Sequence, residues 1–178
     1  MMGMSLSLST RVASLARLAA AALVLVVAAI PAEARAVKPV TGRTLDRAAI
    51  VSNLPVANLG DVSYAEVNSE WLKNFYQTYR SELSRMGVVK WDSRYDCRRF
   101  AGLFTELAQN HFFQKEFHND IKAHTLALGP IWYRPEQGGG HAIIFALTEK
   151  GPVYLDPQSG QEVKLTPRER ASIFFAVL

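Results

Sequence analysis

Between residues 125 and 165 short apolar runs alternate with glycine and proline so often that helices of ordinary length do not fit. Thr125-Leu126-Ala127-Leu128, Ile131-Trp132-Tyr133, His141 to Leu147, Pro152 to Asp156 and Glu162 to Leu165 read as strands. Gly129-Pro130, Pro135, Gly138-Gly139-Gly140, Gly151-Pro152, Pro157 and Gly160 punctuate them. Strands so close in sequence pair with their neighbours, which predicts an antiparallel meander.

The chain upstream has a different period. Ser63-Tyr64-Ala65-Glu66 fits a helix-opening capping box, and Val67, Trp71, Phe75, Tyr79 and Leu83 follow at four-residue spacing, widened by Leu72 and Tyr76. This predicts an amphipathic helix to about Met86, with Gly87 as its terminator. After a connector holding Trp91, Asp96 is the expected N-cap of a second helix. Phe100, Ala101, Leu103, Phe104, Leu107, Ala108 and His111 carry its stripe to about Phe113. Thr166-Pro167-Arg168-Glu169 is a further capping box and opens a short C-terminal helix with Ile173, Phe174 and Val177. Helices first and strands afterwards give an α+β class, with N-terminal helices packed on an antiparallel sheet.

The first residues read as a signal peptide. Arg11 and Arg17 precede an apolar run of about 13 residues, Leu18 to Ile30, too short to span a bilayer comfortably. Ala32-Glu33-Ala34 and Ala34-Arg35-Ala36 offer cleavage sites. The expected division is therefore 1–34 signal peptide, 35–61 an N-terminal arm extended around Ile50-Val51 and Pro55-Val56, and 62–178 the functional domain. The mature protein is expected to be exported, periplasmic or secreted, without stable membrane insertion. Net charge is +4 at pH 7, and removing Arg11, Arg17 and Glu33 lowers it by one. Such a mild balance does not predict a nucleic-acid partner.

One cysteine in an exported chain forms no internal disulfide. Cys97 falls at the first turn of the second helix, where backbone N–H groups and the helix dipole favour an anion. His141 opens a strand after three glycines, and Asp156 ends the next strand. In a hairpin the start of one strand lies beside the end of the next, so the order Cys97, His141, Asp156 predicts a nucleophile, its base and the base's orienter. His111, His118 and His124 compete for the base but lack the strand setting. The histidines show no metal-ligand spacing, so neither a metal site nor a cofactor is expected. The glycine triplet leads into a strand, where a phosphate loop would lead into a helix.

Tyr95-Asp96-Cys97-x-x-Phe100-Ala101, Gly140-His141-Ala142 and Asp156-Pro157-Gln158-Ser159-Gly160 resemble the papain-like cysteine protease domain of the Marasmius oreades agglutinin and its bacterial and phage relatives, within the transglutaminase-like cysteine proteinase superfamily. The resemblance covers about Val62 to Leu165. It implies a papain-like, transglutaminase-like fold with Cys97, His141 and Asp156 catalytic, in an exported cysteine peptidase or amidase working through a thioester acyl-enzyme. It implies a peptide or protein substrate, cell-wall peptide included. Arg98 and Arg99 replace an acidic residue common after the cysteine, and no glutamine lies shortly before Cys97. The second oxyanion donor is then sought at Trp91 or Gln158. The agglutinin relatives are calcium-dependent, which leaves a calcium requirement open. A transglutaminase-like acyltransferase, an NlpC/P60-type peptidoglycan endopeptidase and a catalytically inactive binding module on the same fold are the alternatives.

Overall fold

The computed structural model describes residues 37–88, 90–116, 119 and 121–178. The expected signal peptide and His118 lie outside the described residues. The described elements are β1 (Val40–Asp46), α1 (Arg47–Asn53), β2 (Ala57–Asn58), β3 (Ser63–Val67), α2 (Ser69–Arg85), α3 (Cys97–Glu116), β4 (Thr125–Leu126), β5 (Leu128–Tyr133), β6 (His141–Thr148), β7 (Gly151–Leu155), α4 (Pro167–Ala171) and β8 (Phe175–Val177). The class is α+β, as expected.

Strand order in the sheet is β1-β3-β6-β5-β8-β2, with β4 beside β3 and β7 beside β6. The antiparallel meander is corrected to a mixed sheet. β5–β6 and β6–β7 are antiparallel neighbours, but β3 runs parallel to both β4 and β6, and β2 parallel to β8. The parallel pairs join strands far apart in sequence, with α2 and α3 lying between β3 and its partners.

Both faces of the sheet are covered, which explains why β6 reads as a continuous apolar run. Side chains alternate between faces along a strand. Ala142, Ile144 and Ala146 face a cluster with Trp71, Phe75, Tyr79 and Leu83 of α2 and Phe100, Phe104, Ala108 and Phe112 of α3. Ile143, Phe145 and Leu147 face a second cluster with Ile50, Leu54, Tyr64, Ile131, Tyr154 and Ile173.

Local chemistry sets most element ends. The Asp96 carboxylate accepts from the N–H groups of Arg98 (3.1 Å) and Arg99 (3.3 Å), capping α3 as expected. Gly87 has φ +74°, and its N–H and that of Val88 donate to Ser84 and Leu83, which closes α2. The Thr166–Glu169 capping box is present, with proline at the first turn.

Three local expectations are corrected. Ser63 does not open a helix, because Ser63–Val67 pairs with β1 as a strand and Asn68 is the cap, accepting from Glu70 and Trp71. Val67 met the four-residue spacing only because it is the last inward residue before the cap. The segment around Ile50-Val51 is helical, with Asp46 as its cap, and fully buried Ile50 ties it into the second cluster. The C-terminal helix stops at Ala171. The Phe174 N–H then donates to the Trp132 carbonyl, and Phe175–Val177 completes β5 as β8. Glu162–Leu165 forms a single bridge at Glu162 in place of a strand.

His111 is expected to make stability pH-dependent. Its ring stacks on Trp71 (centroids 5.6 Å apart) and tilts against Phe75, and its Nδ1 is buried without a hydrogen-bond partner. Burial, and secondarily the Lys115 charge, pushes its pKa down. The folded state therefore binds this proton less readily than the unfolded chain, whose value is about 6.5. The contribution is complete above that value and is lost as pH falls below it. Urea midpoints between pH 7.5 and 5 should decline less steeply for His111→Phe than for the parent. Equal slopes would exclude His111 as the source.

Candidate functional site

Cys97 is half-buried at the start of α3 and packs against the cluster on the α2–α3 side of the sheet. Behind it the Tyr79 hydroxyl donates to the Phe100 carbonyl at 3.2 Å, and Tyr95 packs edge-on against Phe100. Arg98 is held by the Asp96 carboxylate at 2.9 Å, and this hydrogen bond, the largest of several influences, keeps the Asp96 pKa low. Trp91, 56% exposed, lies in the connector ahead of the helix. That connector folds back on itself through the Asp92–Tyr95 bridge.

His141 opens β6 directly across from Tyr133, with ring centroids 6.0 Å apart. It has the parity of Ile143 and Phe145, which face the second cluster, whereas Cys97 packs on the first. Asp156 follows β7. Its carboxylate accepts from the Gln158 N–H and the Ser159 hydroxyl, both at 2.9 Å, and its carbonyl accepts from the Gly160 N–H. The structure thus joins Asp156 to Gln158. Among the described residues no hydrogen bond links Cys97, His141 and Asp156 to one another. Of the rival histidines, His111 is stacked in the core, and His124 lies 3.6 Å from Asp61 at the surface.

The Asp156 turn is built onto α2. The Tyr76 hydroxyl donates to the Gln158 carbonyl at 3.1 Å, and the Tyr76 ring lies against Gly160, which has φ +74°. The Tyr76 pKa is raised, chiefly by burial, with the Asp156 charge adding to it against Arg80. The Tyr133 pKa is also raised, by burial first and then by Glu169 and Asp156. Between this turn, α2 and the edge strand β7 runs a groove of about 620 Å³. Leu72, Pro152, Val153 and Leu155 supply apolar surface, and Lys73, Tyr76, Gln77, Lys150, Ser159, Gln161 and Glu162 supply polar groups. Asp156 and Gln158, legible in the sequence, belong to the turn beside this groove but do not line it, and the lining residues themselves were not singled out for a site. The available signal was Tyr76 and Gln77, polar-tipped residues flanking an apolar stripe.

No family model matches the chain, and no curated protein does. Solved structures do. One, described as "PSL1a-E64 complex", is 18% identical with a TM-score of 0.56, over 76% of this chain and 51% of that one. Another is Polyporus squamosus lectin bound to the human-type influenza-binding epitope Neu5Aca2-6Galb1-4GlcNAc, 18% identical with a TM-score of 0.55, over 76% and 49%. The likeness is one of fold, and the chain spans about half the length of each.

The glycan-bound neighbour is a lectin, and against it the assignment to the papain-like agglutinin-type proteases is withdrawn. The cysteine peptidase or amidase activity goes with it, as do the acyltransferase and NlpC/P60 readings and the peptide or cell-wall-peptide partner. Among the described residues no three His, Cys, Asp or Glu side chains gather to hold a metal ion. No described helix is long and apolar enough to cross a membrane.

Proposed function

We propose that the chain is a carbohydrate-binding module and that the groove between α2, β7 and the Asp156 turn receives the sugar. The observation that carries this reading is the lining of the groove. Gln77, Gln161 and Glu162 present donors and acceptors beside the Tyr76 ring and an apolar floor. A sugar offers the complementary pattern, hydroxyls around its rim and C–H groups on its faces. The volume falls within the usual range for small-molecule sites. The glycan-bound state of the lectin neighbour supports the ligand class. Asp156 and Gln158 have a positioning role here, since they shape the turn that walls the groove. No metal or cofactor enters the binding mode.

The test is calorimetric titration with Neu5Aca2-6Galb1-4GlcNAc and a panel of neutral glycans. Saturable binding is expected, weakened about tenfold in Gln77→Ala or Glu162→Ala, the loss of roughly one hydrogen bond. Cys97→Ala and His141→Ala should keep the parent affinity. No binding across the panel would overturn the reading. So would cleavage of a peptide library by the parent, together with capture of an E-64-type thiol probe, both lost in Cys97→Ala.

Export belongs to the same proposal, on the strength of the Leu18–Ile30 run and the A-x-A sites. N-terminal sequencing of the protein recovered from the cell exterior should begin at Arg35 or Val37. A start at Met1 would overturn it.

A further inference from the structure

Edge strand β7 borders two cavities. Val153 and Leu155 border the groove described above. Tyr154, with the opposite parity, lines a second cavity of about 590 Å³. Its walls are largely apolar, formed by Leu54, Pro55 and Val56 after α1, by Pro152, and by Pro167 and Ile173 around α4.

Two polar groups of this lining have unmet capacity. Tyr154 is only 5% exposed, and among the described residues its hydroxyl has no hydrogen-bond partner. The Tyr154 oxygen is not sealed from solvent, since His111 Nδ1 is the one buried side-chain polar atom without a partner among the described residues. The hydroxyl therefore opens onto the cavity that Tyr154 lines and is free to donate to an acceptor held there. Arg170 also lines the cavity. Among the described residues its guanidinium has no carboxylate partner. The neighbouring Glu169 carboxylate is committed to the Thr166 and Glu136 N–H groups. Arg170 acts electrostatically on Tyr154, opposing the rise that burial imposes on the phenol. Both donors line the one cavity.

We infer that this cavity binds a monocarboxylate with an apolar body, its carboxylate received by the Arg170 guanidinium and the Tyr154 hydroxyl and its body lying against Leu54, Pro55 and Ile173. A guanidinium matches a carboxylate in shape as well as charge. The apolar walls exclude a fully hydrated anion such as free phosphate. The volume suits a body of several carbons. The inference does not rest on the glycan reading, because the two cavities share only Pro152 and none of the residues that carry either reading.

The experiment uses the full chain with octanoate, its neutral counterpart octanol and inorganic phosphate, followed by amide chemical shifts. Saturable octanoate binding is expected, with shifts centred on residues 52–56 and 167–173. Arg170→Gln, an exposed change that spares the core, should weaken octanoate at least tenfold and leave octanol within twofold. Tyr154→Phe, which keeps the ring, should weaken octanoate about threefold to tenfold. Equal affinity for octanoate and octanol would overturn the inference, as would phosphate competing at the same shifts or unchanged octanoate binding in Arg170→Gln. Ile173→Trp fills the cavity and should abolish binding of both organic ligands. Retained octanoate binding there would place the site elsewhere and likewise overturn it.

Discussion

Gly129→Ala should lower the stability of the domain by about 3 kcal/mol, at the upper end of what overpacking costs. Gly129 sits in β5 where the C-terminal strand crosses it. A methyl group there would overlap the Val177 carbonyl oxygen, lie 3.1 Å from its carbonyl carbon and lie 3.2 Å from Leu178 Cγ. The first two are backbone atoms, which cannot swing aside as a side chain can. The backbone they belong to is fastened on its far side. The Leu178 N–H donates to Asn58 at 3.1 Å, and the Leu178 carbonyl accepts from Gly60 at 2.8 Å and from the Tyr64 hydroxyl. Relief therefore requires β8 to lift from β5, which exposes Ile131 and Ala176, both fully buried. For a domain of this size the loss is roughly 10 °C in melting temperature. Gly102→Ala is the control. Gly102 lies inside α3 with open space around the missing Cβ, so alanine should stabilise by about 0.5–1 kcal/mol. Thermal melts of the two variants should move in opposite directions. A Gly129→Ala protein that melts with the parent would show that β8 is not held against β5 in this way.

The contrast between those glycines reflects what could be read in advance. Helix ends set by side chains next to them in sequence were legible: the Asp96 cap, the Gly87 terminator, the Thr166–Glu169 box. The Ser63-x-x-Glu66 box met the same rule and was wrong, because β1 offered residues 63–67 a ladder partner that no local pattern announces. The Glu66 carboxylate, expected to cap a helix, instead receives Arg43 at 3.0 Å and Thr41 at 2.9 Å from that partner strand. Site placement divides along the same line. Cys97 at a helix start, His141 at a strand start and Asp156 at a strand end were all legible. Their mutual relation depended on which face each side chain takes and on what else competes for it. His141 carries the parity of Ile143, away from the cluster that holds Cys97. Asp156 found its partners two and three residues away, as short acidic side chains in turns often do.

Gly160→Ala should cost about 2–3 kcal/mol, and the same change should distort the proposed sugar groove. Two separable effects contribute. Gly160 has φ +74°, a conformation that costs an L-residue about 1–2 kcal/mol. The added methyl would also overlap the Tyr76 ring, 2.5 Å from Cζ and 2.7 Å from Cδ1. The ring cannot turn away freely, because its hydroxyl holds the Gln158 carbonyl at 3.1 Å and its face leans on Tyr79. A double-mutant cycle separates the two. Tyr76→Ala removes the overlap and leaves the backbone cost, so the double variant should be more stable than the sum of the single losses by about 1 kcal/mol or more. Gly138→Ala supplies the backbone cost alone, since Gly138 has φ +90° and nothing within contact of the missing Cβ. Glycan affinity reports the groove independently of stability. Ser159 and Gln161 flank Gly160 and line the groove, so Gly160→Ala should weaken binding about tenfold at a temperature where the variant is still fully folded. Gly138→Ala should leave it unchanged. Additive stabilities in the cycle would mean that Tyr76 does not brace the turn. Parent-like glycan affinity in folded Gly160→Ala would mean that the turn does not wall the site.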